Sequence, residues 1–164
     1  VTADGHAIEC RICAEDPEHD FLPETGTILH LGIPQAPYLR FENALDRGQR
    51  ITADFDPMLA KLVVHGPDRG SAIERAIAAL HDLALLGVTT NIDYLARLLG
   101  HPAFASGDLH TGFIAQHGAG LAAMPPGEAE QDRALIAAAL GLRSFRDLVF
   151  DVPEPHASIG LWRN

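Results

Sequence analysis

The residues of this chain that could carry out chemistry are concentrated near its N-terminus. The segment of residues 6–13 holds Cys10 and Cys13 in a C-x-x-C pattern, together with Glu9 and Arg11. A C-x-x-C pair is typical of thiol redox sites or of half a zinc site. A structural zinc site needs about four Cys or His ligands, and the sequence has no second closely spaced pair. We therefore expect no metal site. Glu9 and Arg11 place an acid and a base close together in the same segment.

The alternation of apolar and polar residues predicts that residues 6–13 form a β-strand. Side chains two positions apart share a face of a strand, so we expect Ile8, Cys10 and Ile12 to be buried together. Arg11 then lies on the opposite, polar face, and the two cysteines point to opposite faces. We expect both cysteines to be small reduced thiols. A thiol redox domain is the alternative, and it requires measurable disulfide exchange.

The elements that must position this strand follow along the chain. Apolar residues at helical spacing predict a helix that begins with a capping box from Ser71 to Glu74, includes Ala84 and stops at Gly87. A second helix is predicted from the N-cap Asn91 to residue 100. Strands followed by helices favour an α+β fold in which helices cover an antiparallel sheet. Further strands are predicted at residues 26–31, 38–41, 50–53 and 59–65, and a short helical turn at 111–117.

The domain organisation changes after residue 117. Residues 118–129 are small and rich in Pro and Gly, which is typical of a linker. Residues 130–164 contain an Ala-rich helical segment and are expected to begin a further, incomplete domain, because so few residues cannot enclose a core. The chain begins with Val1 and shows no targeting signal, so we expect it to be cut from a longer protein.

The net negative charge of the chain argues against partners that are themselves negatively charged. The 164 residues include 12 Lys and Arg against 22 Asp and Glu, a net charge of -10, with no extended basic run. Nucleic acid and anionic membrane surfaces are therefore not expected as partners. No apolar stretch approaches the roughly 20 residues of a membrane span. The only lysine is Lys61, so any lysine chemistry of the chain must use that residue.

A series of motifs along the chain closely resembles the C-terminal domain of biotin carboxylase, as found in biotin-dependent acyl-CoA carboxylases. The resemblance covers about residues 1–117, and the segment 130–164 resembles, more weakly, the beginning of the middle domain in α subunits of the methylcrotonyl-CoA type. The motifs are G-H-A-I-E-C-R-I at 5–12, A-E-D-P at 14–17, F-L-P at 21–23 with Gly26, F-D-P-M-L-A-K-L at 55–62, T-N at 90–91 and T-G-F-I at 111–114.

The resemblance implies a part of a ligase. In that family the whole enzyme uses MgATP and bicarbonate to carboxylate biotin, and the carboxyl group then passes to an acyl-CoA. We expect 3-methylcrotonyl-CoA as the acceptor, with propionyl-, acetyl- and geranyl-CoA as alternatives. Biotin, ATP and Mg²⁺ are the implied cofactors. This chain alone is expected to be inactive and to hold none of them tightly, because the nucleotide-binding half is missing.

The resemblance also implies partners and a location. The partners are the rest of the biotin carboxylase domain, the biotin carrier domain and the β (carboxyltransferase) subunit, together with self-association. The expected location is the bacterial cytoplasm, with the mitochondrial matrix as the alternative. A second hypothesis is that the chain is a non-catalytic assembly module whose residues 119–164 bind a partner.

Five residues receive roles from the resemblance. Arg11 corresponds to an arginine near bicarbonate and biotin that stabilises the ureido oxygen, and a guanidinium suits this task because it stays charged and offers several donors in one plane. Asp56 lies beside the same site, and our hypothesis is that it orients Arg11 by a charge-assisted hydrogen bond. Thr111 and Gly112 border the adenine of ATP. Arg40 lies at the contact between two carboxylase domains.

Each of these residues also has a simpler interpretation. Arg11 on a strand beside Glu9 is equally what a surface ion pair requires, and Asp56 before a proline is a common turn signal. Thr111 and Gly112 fit the start of a helix, and Arg40 fits an exposed strand position.

Overall fold

The computed structural model describes residues 2, 4–123 and 127–142, which fall into two units, Val1–Ala123 and Met124–Asn164. The expected further domain therefore lies mostly outside the described residues, as does everything after residue 142. The described strands are β1 (His6–Cys13), β2 (Glu15–Asp16), β3 (Leu22–Pro23), β4 (Gly26–Thr27), β5 (His30–Gly32), β6 (Leu39–Asn43), β7 (Arg50–Ile51), β8 (Met58–Gly66) and β9 (Ala84–Leu86). The described helices are α1 (Arg69–Asp82), α2 (Ile92–Gly100), α3 (Pro102–Ser106), α4 (Phe113–Leu121) and α5 (Glu128–Leu142), with a 3₁₀ turn at Pro17–His19.

The α+β architecture predicted from the sequence is confirmed, with the sheet divided into parts. A three-stranded antiparallel sheet has the order β1-β8-β6, and β2-β3, β4-β7 and β5-β9 form separate antiparallel pairs. The helices α1 and α2 pack on each other and on the inner face of the main sheet.

The alternation in β1 sets the inner face of the sheet. Ile8, Cys10 and Ile12 are 7%, 3% and 0% exposed, as predicted, and they face the fully buried Leu62 and Val64 of β8. Burial of these side chains removes apolar surface from water and fixes the register, because a slip by one residue would turn the charged set inward. The polar face of β1 is thereby directed away from the core.

The predicted capping box of α1 is wrong, because the N-cap lies three residues before Ser71. Asp68 is the N-cap: its Oδ1 accepts the Ser71 amide at 2.8 Å and its Oδ2 accepts the Ser71 hydroxyl at 2.9 Å. Glu74 therefore has no capping role. The helix also ends at Asp82, before Ala84, and the chain re-enters the sheet as β9.

Two features after α1 were not predicted. Strand β9 pairs with β5 in the register His30 to Leu86, and α3 is an additional helix that begins at Pro102. The predicted start of α2 at Asn91 is confirmed as the N-cap position, although the Asn91 side chain makes no capping hydrogen bond.

The end of the first unit lies beyond the predicted boundary. Helix α4 continues to Leu121, which is 1% exposed, so the segment predicted as a linker, 118–129, begins inside a helix. The amide of Ala123 donates to Glu18 Oε1 at 2.9 Å, and Arg97 donates to the Leu121 carbonyl at 2.7 Å. These bonds attach the end of α4 to the rest of the unit.

Helix α5 belongs to the second unit and covers the predicted Ala-rich helical segment. Across the described part of the chain, every helix falls short of the length and hydrophobicity that a bilayer crossing requires.

Candidate functional site

The outer face of the main sheet carries the candidate site. Glu9 and Arg11 of β1, Lys61 of β8, and Arg40 and Glu42 of β6 alternate with the buried residues of their strands, and we call these five residues the charged face. The register places Arg11 opposite Lys61 and Lys61 opposite Glu42. Two cations thus lie side by side near one end of β1, which favours an anionic ligand there.

Arg11 is available to a ligand. Its Nε lies 3.3 Å from Glu9 Oε1, and its side chain is 71% exposed. Such an exposed pair contributes little to stability, because water screens it. The ion pair with Glu9 engages Nε and leaves the two terminal nitrogens of the guanidinium without a partner among the described residues. The simpler interpretation of Arg11 as an ion-paired strand residue is therefore compatible with binding.

The predicted hydrogen bond, in which Arg11 would donate to Asp56, does not occur among the described residues. Asp56 Oδ1 instead accepts the backbone amide of Met58 at 2.7 Å, an Asx turn that leads into β8. The local turn wins over the ion pair because the amide lies two residues away and costs little chain entropy to reach.

Asp56 nevertheless shares an electrostatic environment with Arg11. Burial is the largest cause of the raised pKa of the Cys13 thiol and of Glu15, and the negative charge of Asp56 adds to both. Arg11 acts on the pKa of the Cys13 thiol in the opposite sense. Arg11 and Asp56 thus both act on the charge state of Cys13, and no hydrogen bond joins them among the described residues.

Strand β1 is held at both of its edges around Arg11. On one edge the strand pairs with β8, where Arg11 lies opposite Lys61, and the register then shifts between Ile12 and Cys13. On the other edge, Asn91 Nδ2 donates to the Arg11 carbonyl at 3.1 Å, and Asn91 Oδ1 accepts the Cys13 amide at 2.9 Å. Sequence reasoning missed this role because Asn91 is also the N-cap residue of α2, which by itself explains an asparagine there.

Lys61 pairs with a carboxylate of the neighbouring strand. Its Nζ lies 2.5 Å from Glu42 Oε2, while Arg40 Nε lies 3.0 Å from Glu42 Oε1. The hydrogen bond from Lys61, followed by the charge of Arg40, lowers the pKa of Glu42. Arg40 is 70% exposed, and its role in a contact between carboxylase domains stays a prediction.

Thr111 and Gly112 lie in a different part of the first unit, at the start of α4. Gly112 occupies the N-cap position, and its amide donates to His110 Nδ1 at 3.1 Å. Their assignment to the adenine site stays a prediction, and their placement also fits the simpler interpretation of a helix start.

The two cysteines are free thiols with raised pKa values. Burial, followed by the charge of Glu9, raises the pKa of Cys10 to about 11. Burial, followed by the charges of Glu15 and Asp56, raises the pKa of Cys13 to about 11. A redox or nucleophilic cysteine requires the thiolate, so this environment opposes a thiol redox function. No group of three or more His, Cys, Asp or Glu that could hold a metal occurs in the described ranges.

We expect the half-buried Cys13 to react slowly with iodoacetamide. At pH 8 a thiol with a pKa of about 11 has on the order of a hundredfold less thiolate than an ordinary cysteine. Its rate is expected to rise about tenfold per pH unit up to pH 11. Time-resolved alkylation of the native chain, followed by peptide mass spectrometry and with denatured chain as the control, measures this rate. Rapid alkylation of Cys13 in the native chain at pH 7 would contradict the expected thiol environment.

Comparison with known proteins gives a consistent result for sequence and structure. Residues 9–116 match the family described as the biotin carboxylase C-terminal domain. The chain is 41% identical over 143 residues to the mitochondrial methylcrotonoyl-CoA carboxylase subunit alpha of Mus musculus. That match covers 87% of this chain and 20% of the mouse protein. It is 40% identical over 117 residues to the biotin carboxylase of Halalkalibacterium halodurans. That match covers 71% of this chain and 26% of the relative.

A solved structure agrees with these relatives. The biotin carboxylase domain dimer of Hydrogenobacter thermophilus 2-oxoglutarate carboxylase, in complex with MgADP, ADP and bicarbonate, superimposes with a TM-score of 0.72 at 34% identity. The match covers 74% of this chain and 27% of that chain. The chain thus spans about a fifth to a quarter of the length of the relatives that it matches.

Proposed function

Because the chain belongs to the biotin carboxylase C-terminal domain family, we propose that it forms one wall of the active site of a biotin-dependent carboxylase, with Arg11 as the residue that binds the reacting anion. The observation that carries the proposal is the geometry of Arg11. Its strand pairs with β8 on one edge, its carbonyl accepts a hydrogen bond from Asn91 on the other, and its guanidinium is 71% exposed on the charged face. A rigid strand below a guanidinium whose two terminal nitrogens have no partner among the described residues is what recognition of a small anion requires.

The residues of the charged face fit bicarbonate and the ureido group of biotin. Both present oxygen acceptors, and Arg11 offers planar donors that remain charged at any working pH. The described residues contain no group of acidic or imidazole side chains that could hold a metal. We therefore place the Mg²⁺ and phosphate-binding residues of the proposed enzyme in the rest of the carboxylase domain.

In the proposed reaction the chain's own residues bind and orient. When bound, biotin supplies the nitrogen that accepts the carboxyl group. The terminal nitrogens of Arg11 donate to the substrate oxygen that gains negative charge, while Glu9 holds Nε. The neighbouring Lys61 is paired with Glu42, so it adds positive potential without competing for the same position. Asp56 is proposed to lie beside this site.

The proposed whole enzyme couples ATP and bicarbonate to the carboxylation of biotin and then transfers the carboxyl group to an acyl-CoA. The identity to the mouse methylcrotonoyl-CoA carboxylase subunit supports 3-methylcrotonyl-CoA as the acceptor. The proposed partners are the remaining biotin carboxylase domain, the carrier domain and a carboxyltransferase β subunit. Thr111 and Gly112 are proposed for the adenine side, and Arg40 for the contact between carboxylase domains, with the bacterial cytoplasm as the preferred location.

The experiment that tests this proposal uses the complete carboxylase subunit that contains this chain. With MgATP, radiolabelled bicarbonate and free biotin, we expect label in biotin and ATP hydrolysis that depends on both. The 164-residue chain alone is expected to show neither activity, and addition of a β subunit is expected to favour 3-methylcrotonyl-CoA over propionyl-, acetyl- and geranyl-CoA. A complete subunit that leaves biotin unlabelled contradicts the proposal, and activity of the isolated chain contradicts its incompleteness.

A second function, assembly, is favoured by α5. Within the second unit its adjacent residues Leu135 and Ile136 are 68% and 59% exposed, an apolar surface that a partner would cover. Sedimentation of the chain with and without Leu135→Ser separates the two functions. Association that depends on Leu135, in a complete subunit that lacks biotin carboxylation, would favour assembly.

A further inference from the structure

Asn91 occupies a position where its side chain could have capped α2, and it bonds elsewhere. Its carbonyl accepts the Leu95 amide at 2.9 Å, as an N-cap residue's carbonyl does. Its side chain makes no capping bond. An unused cap usually lowers helix stability, so the side chain serves another part of the molecule.

That part is the free edge of β1 at Arg11. Asn91 Nδ2 donates to the Arg11 carbonyl, Asn91 Oδ1 accepts the Cys13 amide, and the Asn91 amide donates to the Cys13 carbonyl at 3.2 Å. The two residues bonded by the amide group lie 80 and 78 positions away in sequence. Asn91 therefore pairs with β1 as a neighbouring strand would.

The bonds fall where β1 is least regular. The register with β8 shifts between Ile12 and Cys13, and such an irregularity bends and twists the strand next to it. Asn91 is 7% exposed, so its three polar contacts are shielded from water and hold their geometry. The position and direction of the Arg11 Cα–Cβ bond thus depend on β8 at one edge and on Asn91 at the other.

We propose that Asn91 is a positioning residue that aims the Arg11 guanidinium during carboxylation of biotin. The inference rests on the proposed function of Arg11. An anion-binding group displaced by about 1 Å can lose on the order of a hundredfold in rate. Loss of the bond to the Arg11 carbonyl is therefore expected to affect the biotin step. Binding of MgATP, assigned to the rest of the carboxylase domain and to Thr111 and Gly112 at the start of α4, is expected to stay unchanged.

The test uses the complete carboxylase subunit with free biotin as substrate. Asn91→Asp keeps the acceptor for the Cys13 amide and removes the donor to the Arg11 carbonyl. We expect kcat/KM for biotin to fall by on the order of 10- to 100-fold, with KM for MgATP changed by less than about twofold. Asn91→Ser, which is too short to span both bonds, is a second variant in case the carboxylate disturbs folding.

Two further variants distinguish positioning from general stability. In an Arg11→Ala background, Asn91→Asp is expected to cause no additional loss, because a residue that acts through Arg11 has nothing left to position. Asp68→Ala removes a side-chain bond to a backbone amide at α1 and is expected to lower Tm without changing the kinetics for biotin.

The outcomes separate this inference from the proposed function. Equal losses from Asn91→Asp in both backgrounds, or the same kinetic loss from Asp68→Ala, would show a structural role and overturn the inference. Full activity of Asn91→Asp beside an inactive Arg11→Ala would overturn it and leave the proposed function intact. Full activity of Arg11→Ala would remove the proposed role of Arg11 and this inference with it.

Discussion

Replacing Arg11 by alanine in the complete carboxylase subunit is expected to lower kcat/KM for biotin by on the order of 10²- to 10³-fold. The physical reason is the loss of a fixed donor to the oxygen that gains charge. On the charged face the other two cations, Lys61 and Arg40, are both paired with Glu42. Arg11→Lys keeps a charge but loses the planar set of donors, so we expect it to recover only part of the activity.

The measurement is labelled bicarbonate incorporated into free biotin, together with sedimentation to confirm an unchanged oligomeric state. Arg50→Ala is the matched control, because Arg50 is an exposed arginine on β7, outside the charged face. An Arg11→Ala subunit that keeps biotin carboxylation near the level of the Arg50→Ala control would refute the proposed role.

Replacing Gly87 by alanine is expected to produce the largest loss of stability. Gly87 has φ of +107°, and an added Cβ would lie 2.0 Å from the Thr27 carbonyl oxygen and 2.9 Å from the Leu29 amide nitrogen. The strained backbone costs about 1–3 kcal/mol, and the overlap adds about 1–3 kcal/mol. Because the overlap is with backbone of the chain beside β9, side-chain rotation cannot relieve it.

Gly48→Ala is the control for this prediction. Gly48 also has a positive φ, +86°, but nothing lies within 4 Å of its added Cβ, so only the conformational cost of about 1–2 kcal/mol remains. Thermal unfolding of the chain is expected to show a fall in Tm on the order of 10 °C for Gly87→Ala and a clearly smaller fall for Gly48→Ala. Equal falls would mean that the close approach at Gly87 does not exist in solution.

Elements with a local pattern could be predicted from the sequence. The alternation of residues 6–13 is sufficient to predict β1 and the face of the strand on which Arg11 lies. Burial of one face alone fixes the register of β1 with β8. The spacing of the apolar residues in α1 and α2 is sufficient to predict two helices. By contrast, Ala84–Leu86 continue the helical spacing of α1, and only their pairing with β5 makes them a strand.

The contacts of the site were harder to predict because competing bonds are close in energy. Asp56 was expected to reach Arg11, but the Met58 amide is a nearer partner. Asp68 and Ser71 are both good N-cap residues, and the choice depends on where the preceding strand ends. The bonds from Asn91 to β1 join residues about 80 positions apart, and no local signal contains them.

The position of Lys61 allows a chemical label to measure whether a molecule covers the outer face of the sheet. It is the only lysine of the chain, and it lies on the central strand β8 between Arg11 and Glu42. Amine-directed acetylation therefore modifies one side chain at the middle of this surface. Whatever molecule comes to rest over the sheet shields that amine, so the modified fraction of a single peptide reports how fully the surface is occupied.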